Sequence, residues 1–401
     1  MTAWRRMTLG DVIDVKHGYA FKGHYFAPEG EAMILTPGNF PIGGGLRLRL
    51  GKDRYYAGDY PSEYRLSPGD LLIVMTDLTQ NAPILGSPAV IPGGPAMLHN
   101  QRLGLVTIKP TAKLDRRFLY YLLLADASRS QLRATATGTT VRHTAPERIY
   151  RVSVVIPDVP IQRVISSVLG ALDDLIENNR RRVEVLDEMA GAIYREWFVN
   201  FRYPGHENAT FVDSPLGPIP EGWHRTILGK VLELRYGKAL KKDNRRGGVV
   251  AVVSSAGVVG WHNEQLVEGP TIVLGRKGNI GSVTWVEGPC WPIDTAYFVV
   301  TDLPLRYVIE QLRRLQFLNT HAAVPGLSRD QVYSKPFLTP PDALMFHFAG
   351  LSSALTSQSL SLARQCERLA LLRDLLLPKL VTGQIDVSSL DLDRLVEGSV
   401  A

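Results

Sequence analysis

Cysteine is almost missing from this chain of 401 residues: only Cys290 and Cys366 are present. Two thiols are too few for a disulfide framework or a structural zinc site, so the expected setting is the reducing cytoplasm. No apolar run approaches the roughly 20 residues that cross a bilayer, and the opening MTAWRRMTLGDV contains no apolar signal segment. No membrane role is expected. Catalytic signatures are missing as well. No GxxxxGK[ST] loop occurs, and GRKGNIGS from Gly275 has no lysine where a phosphate would need one. No glycine-rich turn stands between a strand and a helix as a dinucleotide or S-adenosylmethionine site requires; the glycines at 43–45 lie in a polar loop. The Asn/Asp-Pro-Pro-aromatic sequence of amino-methyltransferases is absent, since TPPD at Thr339 lacks both the amide and the aromatic ring. The nine histidines follow neither HExxH nor Cys/His spacing. His17, His99, His143 and His262 therefore read as surface or core residues rather than metal ligands. Together these absences point away from bond chemistry, metals and bound cofactors in this chain.

What is present suits a folded soluble protein of two or three domains, with 45% apolar and 21% charged residues. The formal charge of +6 is unevenly placed. Residues 1–155 carry 19 basic and 12 acidic side chains and residues 203–342 carry 15 and 13, whereas residues 156–202 carry 6 and 8. The surplus lies in two regions, as in proteins whose domains touch a polyanion while their connecting segments touch something else. A plain solvated surface gives the same totals.

Those two regions open alike. WRRMTLGDVIDVKHGYAFK from Trp4 aligns without a gap to WHRTILGKVLELRYGKALK from Trp223, pairing Leu9-Gly10 with Leu228-Gly229, Gly18 with Gly237 and Lys22 with Lys241. Short β-rich runs follow in both, GDLLIVMT, ILGSPAVI and RLGLVTI in one and PTIVLGRKGNIGSVTWV and AYFVVT in the other. Helical patterns come next, DRRFLYYLLLADASRSQLRA and LRYVIEQLRRLQFLNTH. Each copy ends on a Gly- and Thr/Ser-rich turn in which Ile149-Tyr150 matches Val332-Tyr333. A period this long means a duplicated mixed α/β domain rather than a solenoid unit.

After each globule the pattern changes to heptads. Ile165, Leu169, Leu172, Ile176, Asn179, Val183, Leu186, Ala190, Ile193 and Trp197 alternate intervals of four and three, with Asn179 the one polar member. A lone seam asparagine sets register at some cost in stability. From Ile161 to Phe201 such a helix is about 60 Å long at ~1.5 Å per residue. Leu355, Gln358, Leu362, Gln365, Leu369, Leu372 and Leu376 repeat the spacing until PKLVTGQI stops the helix at Pro378 and Gly383. Periodicity alone leaves the direction of packing open.

The doubled opening, LIENNRRRVEVLDEMAGAIYREWFVNFRYPGHE at Leu175–Glu207 and LLLPKLVTGQI at Leu375–Ile385 together resemble the DNA specificity subunit of type I restriction-modification enzymes. The likeness spans nearly the whole chain in the family's order. It implies an α+β fold: two mixed α/β target-recognition domains in pseudo-two-fold repeat, separated by two long helices forming an antiparallel coiled coil. The implied boundaries are 1–158 for the first domain, 159–203 for the central helix, 204–342 for the second domain, 343–385 for the distal helix and 386–401 for a tail. It further implies a non-catalytic subunit whose domains each read one half of a split, asymmetric target in double-stranded DNA. Two modification subunits, which methylate adenine, and two restriction subunits are the implied partners, and S-adenosylmethionine, ATP and Mg2+ are expected on them.

Base reading needs side chains that reach base edges. Loop candidates in the first domain are Lys22, His24, Thr76, Asp77, Gln80, Asn81, Arg142 and His143, with Gly138, Thr139 and Thr140 at the closing turn. In the second domain they are Lys241, Lys242, Asn244, Arg245, Arg246, Arg276, Lys277, Asn279, Ser328 and Arg329. Each has a plain alternative: KKDNRR as a solvated loop, GRKGN as a turn facing water, Thr144 or Ser328 as a helix cap. Arg180, Arg181, Glu184, Asp187, Glu188 and Arg195 lie off the seam and are candidates for binding the modification subunits. The competing readings are a coiled-coil scaffold without DNA specificity and a single-chain DNA-modifying enzyme.

Overall fold

The computed structural model describes residues 4–49, 51–214, 217–317 and 326–388. The chain divides into two compact units, residues 1–178 with 365–401 and residues 179–364. Among the described residues no helix is long and apolar enough to cross a membrane.

In the first unit an antiparallel sheet runs in the order Ile13–His17, Leu103–Ile108, Leu71–Val74 and Pro88–Val90. A second sheet runs Phe26–Ala27, Arg54–Tyr56, Ala32–Ile34 and Ala96–Leu98, its last pair parallel. Helix Arg116–Leu124 buries Phe118, Leu119, Leu122 and Leu123 against Leu9, Ile13 and Ile73. Sequence periodicity continues this helix to Ala134, but the chain breaks at Ala125, which is extended, and resumes as Asp126–Ala134. The break carries Arg129 into the interior, where its guanidinium donates to the carbonyls of Ile42 and Pro83. Of the tail, Val387 belongs to this core, and residues 389–401 lie outside the described residues.

The second unit repeats the construction. Its antiparallel sheet runs Glu233–Tyr236, Ala296–Val300, Thr271–Gly275 and Val283–Val286. A three-stranded sheet orders Gly257–His262, Val250–Ser254 and Cys290–Pro292, again with a parallel last pair. Helix Leu305–Arg314 is shorter than its sequence pattern, and residues 318–321 of that pattern lie outside the described residues.

The repeated opening has a packing cause. In the first unit Arg5–Thr8 pairs with Ser153–Ile156, Leu9 N donates to Val152 O at 2.9 Å, and Val15 N donates to Tyr150 Oη at 3.0 Å. In the second, His224–Ile227 pairs with Pro336–Thr339, Leu228 N donates to Lys335 O at 2.9 Å, and Leu234 N donates to Tyr333 Oη at 2.9 Å. A Cβ on Gly10 would stand 2.7 Å from Tyr150 Cβ, and one on Gly229 would stand 2.7 Å from Tyr333 Cβ. Gly18 and Gly237 are tighter still, with Asn100 O at 2.1 Å and Ile293 O at 2.2 Å from the missing Cβ. Only glycine permits these approaches, so each opening keeps its glycines at the same places.

The central helix is Val159–Tyr194, ending in a π-turn over Arg195–Val199, and the distal helix is Asp342–Val381. Every seam position named on the central helix is buried or half-buried. Within the first unit Arg373 Nη1 meets Asp173 Oδ1 at 2.9 Å and Cys366 Sγ meets Ile176 O at 3.5 Å. Within the second, Ser359 Oγ donates to Asp187 Oδ1 at 2.9 Å, and the Tyr194 and Phe348 rings lie 5.6 Å apart. In each unit one helix advances as the other retreats, which is antiparallel pairing.

The distal seam differs from expectation. Its inward row is Met345, Phe348, Ser352, Leu355, Ser359, Leu362, Cys366, Leu369, Arg373, Leu376 and Leu380, all buried or half-buried. Leu355, Leu362, Leu369 and Leu376 keep their places, but Leu372 is 45% exposed. Gln358 and Gln365 also fall on the exposed side, one residue from the inward Ser359 and Cys366. Hydrophobicity selects Leu372, whereas the geometry selects Arg373, because Asp173 satisfies its charge.

Candidate nucleic-acid interface

In the first unit the candidate residues around the closing turn come together. Thr76–Asp77 pairs antiparallel with Arg142–His143, and Thr76 Oγ lies 2.9 Å from His143 Nδ1. Thr137 and His143 exchange both backbone hydrogen bonds at 2.9 Å, which closes a hairpin whose tip carries exposed Gly138, Thr139 and Thr140. Gly138 is required there, since its φ is +100° and Val141 O lies 2.1 Å from where a Cβ would be. Arg142 Nη1 donates to Gly138 O at 3.3 Å across the hairpin. Gln80 and Asn81 stand exposed on the loop after Asp77. Partial burial lowers the His143 pKa below the ordinary histidine value, with nearby His17 and Arg148 adding to the shift.

Two first-unit candidates change role. Asp77 is only 2% exposed, and its carboxylate accepts from Thr79 N and Thr79 Oγ at 2.9 and 2.8 Å and from Ile84 N at 2.9 Å. It staples the loop that presents Gln80 and Asn81 and is not free to meet a base. Thr76 is buried too and orients His143. Lys22 precedes the turn Gly23–Tyr25 and His24 lies within it, just before the first strand of the other sheet, the His24 ring tilted against that of Tyr25 with centroids 4.0 Å apart.

In the second unit Lys241, Lys242, Asn244 and Arg246 are exposed around the turn Lys242–Asn244. Arg245 is used differently: its Nη1 donates to Val259 O at 2.7 Å, fastening this loop to the strand Gly257–His262. Lys277 and Asn279 are exposed in the tight turn after Gly275. Ser328 is a helix cap, its Oγ accepting from Gln331 N at 3.2 Å in a reciprocal capping box. Thr144, the other proposed cap, instead pairs its hydroxyl with Thr135 Oγ at 2.6 Å. Arg276 and Arg329 both lie over the Tyr236 ring. Sequence reasoning passed over this tyrosine and the exposed Val258, Val259 and Trp261 on the edge strand Gly257–His262 of the three-stranded sheet. Their signal was an aromatic or apolar side chain alternating with basic loops.

The off-seam residues Arg180, Arg181, Glu184, Asp187, Glu188 and Arg195 are all exposed. Asp187 also binds Ser359 of the distal helix, so its carboxylate belongs partly to the helix pair. In the first unit the distal helix exposes Leu371, Leu372 and Leu375. Among the described residues no group of three His, Cys, Asp or Glu could hold a metal ion.

Comparison with known proteins matches residues 1–188 to the family model for the type I restriction modification DNA specificity domain. The type I restriction enzyme HindI specificity subunit of Haemophilus influenzae is 30% identical over 367 residues, covering 70% of this chain and 80% of the relative. The MjaIX specificity subunit of Methanocaldococcus jannaschii is 24% identical over 320 residues, covering 72% of this chain and 73% of the relative. The crystal structure of the type I restriction-modification S subunit from M. genitalium superposes with a TM-score of 0.61 at 16% identity, covering 96% of this chain and 97% of that one. This last likeness is one of fold.

Proposed function

Because this chain belongs to the DNA specificity subunits of type I restriction-modification enzymes, we propose that each of its mixed α/β units reads one half of a split, asymmetric duplex target. The two long helices pair as an antiparallel coiled coil that sets the gap between the halves and docks two modification subunits. S-adenosylmethionine stands on those partners, and ATP and Mg2+ on two restriction subunits that join them in the cytoplasm.

The observation that carries this reading is a repeated frame with unlike surface loops. The same backbone hydrogen bonds close both units, while the loops mounted on them differ: Gln80, Asn81 and the Gly138–Val141 tip in one, Lys241–Arg246 and the Arg276–Asn279 turn in the other. A common frame bearing different donors and acceptors is what two unlike half-sites demand. The helices support docking through side chains left exposed in each unit: charged Arg180, Glu184 and Glu188 in the second, and Leu371 and Leu375 in the first. A solvated helix face has little reason to expose so many leucines.

The test is co-expression with the neighbouring modification subunit, followed by long-read mapping of N6-methyladenine across the host genome. The expected result is a split, asymmetric motif, methylated on both strands and lost when this chain is deleted. An active, bound modification subunit that writes no new motif would leave the chain a scaffold without specificity.

A further inference from the structure

Tyr236 ends the strand Glu233–Tyr236 opposite Tyr297, and its side is open to solvent, 48% exposed. Two arginines from distant parts of the chain converge on it. Arg276, leaving the strand Thr271–Gly275, brings its guanidinium carbon 4.9 Å from the Tyr236 centroid and 5.9 Å from that of Tyr297. Arg329, beside the Ser328 cap, comes to 4.1 Å from Tyr236. Arg276 is fixed further by its backbone N, which donates to Thr295 O at 2.9 Å, and by Nη1, which donates to Asp294 O at 3.2 Å. Among the described residues neither arginine pairs with a carboxylate. Glu233, whose carboxylate feels Arg329, is already held by Arg235 at 2.9 Å. Two cations thus share one aromatic ring with unused donors, an arrangement that an acceptor-rich ligand relieves.

The frame beneath this cluster also exists in the first unit. Leu327 N donates to Arg276 O at 2.9 Å, as Thr144 N donates to Met75 O at 3.0 Å. Tyr236 faces Tyr297 across the sheet as His17 faces Gly104. Arg276, Tyr236, Tyr297 and Arg329 therefore occupy the backbone positions of Met75, His17, Gly104 and Pro146. The backbone hydrogen bonds that close the frame are retained between the units, as are Gly10 and Tyr150 in Gly229 and Tyr333, whereas these four side chains are all exchanged. Changed chemistry on an unchanged frame marks where the units discriminate.

Resting on the reading of the second unit as a DNA reader, we propose that Arg276 and Arg329, held by Tyr236, recognise a guanine in that unit's half-site. Guanine presents N7 and O6 side by side in the major groove, two acceptors that match a guanidinium fork, whereas adenine puts an amino donor in place of one of them. A phosphate also accepts a guanidinium fork, but a mobile point charge such as lysine serves it nearly as well. A guanidinium whose plane is set by a ring and a backbone carbonyl is built for an edge of fixed geometry. Tyr236 is a positioning residue: it fixes the planes and touches no base.

The methylation map decides this when it is made for wild type, for the double variant R276K/R329K, which keeps both charges and loses both forks, and for Tyr236→Leu. Thermal melting of each purified full chain verifies folding, and Tyr236→Leu serves if the double variant melts early. The expected result is that one half-site contains a G·C pair whose preference, on the order of ten- to a hundred-fold, disappears in both variants. The other half-site and the gap stay the same, and the salt dependence of DNA binding by the complex is unaltered in the lysine variant. Retention of the motif by R276K/R329K overturns the proposal, because the guanidinium forks are then not what selects the base. Relaxation at an A·T pair overturns it as well. Absence of any split motif in wild type would instead overturn the reading on which it rests.

Discussion

At the scale of single residues, burial redirects side chains that sequence assigns by chemistry alone. His99 is fully buried; its Nε2 donates to Leu103 O at 2.9 Å, and Nδ1 has no partner among the described residues. Burial, the largest influence, pushes its pKa down to about 4 from 6.5, with nearby Lys16 and His17 adding to the shift. Between those values the unfolded chain binds a proton that the folded chain refuses. The contribution is therefore complete above about pH 6.5 and is lost as pH falls toward 4, on the order of 3 kcal/mol. Urea melts at pH 7 and pH 4.5 will show this loss, and His99→Asn, which retains a donor, will flatten it. An equal slope in the variant places the acid sensitivity elsewhere. Asp77 and Ser328 teach the same lesson at the candidate site. Each has the right chemistry to meet DNA, but one staples a loop and the other caps a helix.

At the scale of elements, the distal helix shows how a heptad can mislead. Its leucines crowd together toward the end, at Leu369, Leu371, Leu372, Leu375, Leu376 and Leu377, so several seams of similar hydrophobicity can be drawn. The seam that forms admits Ser359, Cys366 and Arg373 because the central helix offers each a partner, in Asp187, the Ile176 carbonyl and Asp173. Those partners lie roughly two hundred positions away and are invisible to a periodicity scan. Leu362→Ala, at a buried seam position, is expected to cost about 2–4 kcal/mol in denaturant unfolding. Leu375→Lys, at a position 64% exposed, is expected to shift stability by no more than about 0.5 kcal/mol while weakening capture of the modification subunit in a titration. Undiminished capture would remove the exposed leucines from the docking face.

At the scale of the whole molecule, the ruler reading makes a length prediction. Removing the matched heptads 180–186 and 360–366 shortens both helices by about 10 Å at ~1.5 Å per residue, or about three base pairs at ~3.4 Å each. The methylated motif should then carry a gap shorter by about that number, with both half-sites intact. A gap of unchanged length, in a variant that still methylates, ends the ruler idea. The duplication behind this arrangement was legible because its closest contacts constrain identity: Gly10 and Gly229 against tyrosines, Gly18 and Gly237 against carbonyls. The Tyr236 cluster was not, since its members come from positions 236, 276 and 329 and no local spacing links them.

The sequence by itself determined the duplicated domain, the central heptad seam and the family resemblance. These rest on local rules, in which a glycine is needed where backbones touch and an apolar residue recurs where a helix is covered. Only the tertiary structure decided which loop side chains remain available and which row of the distal helix turns inward. The loop choices depend on how the backbone turns Asp77 and Ser328 onto nearby N–H groups, and the inward row depends on partners supplied from afar. A carboxylate already accepting three hydrogen bonds cannot read a base, and Arg373 turns inward because Asp173 waits for it.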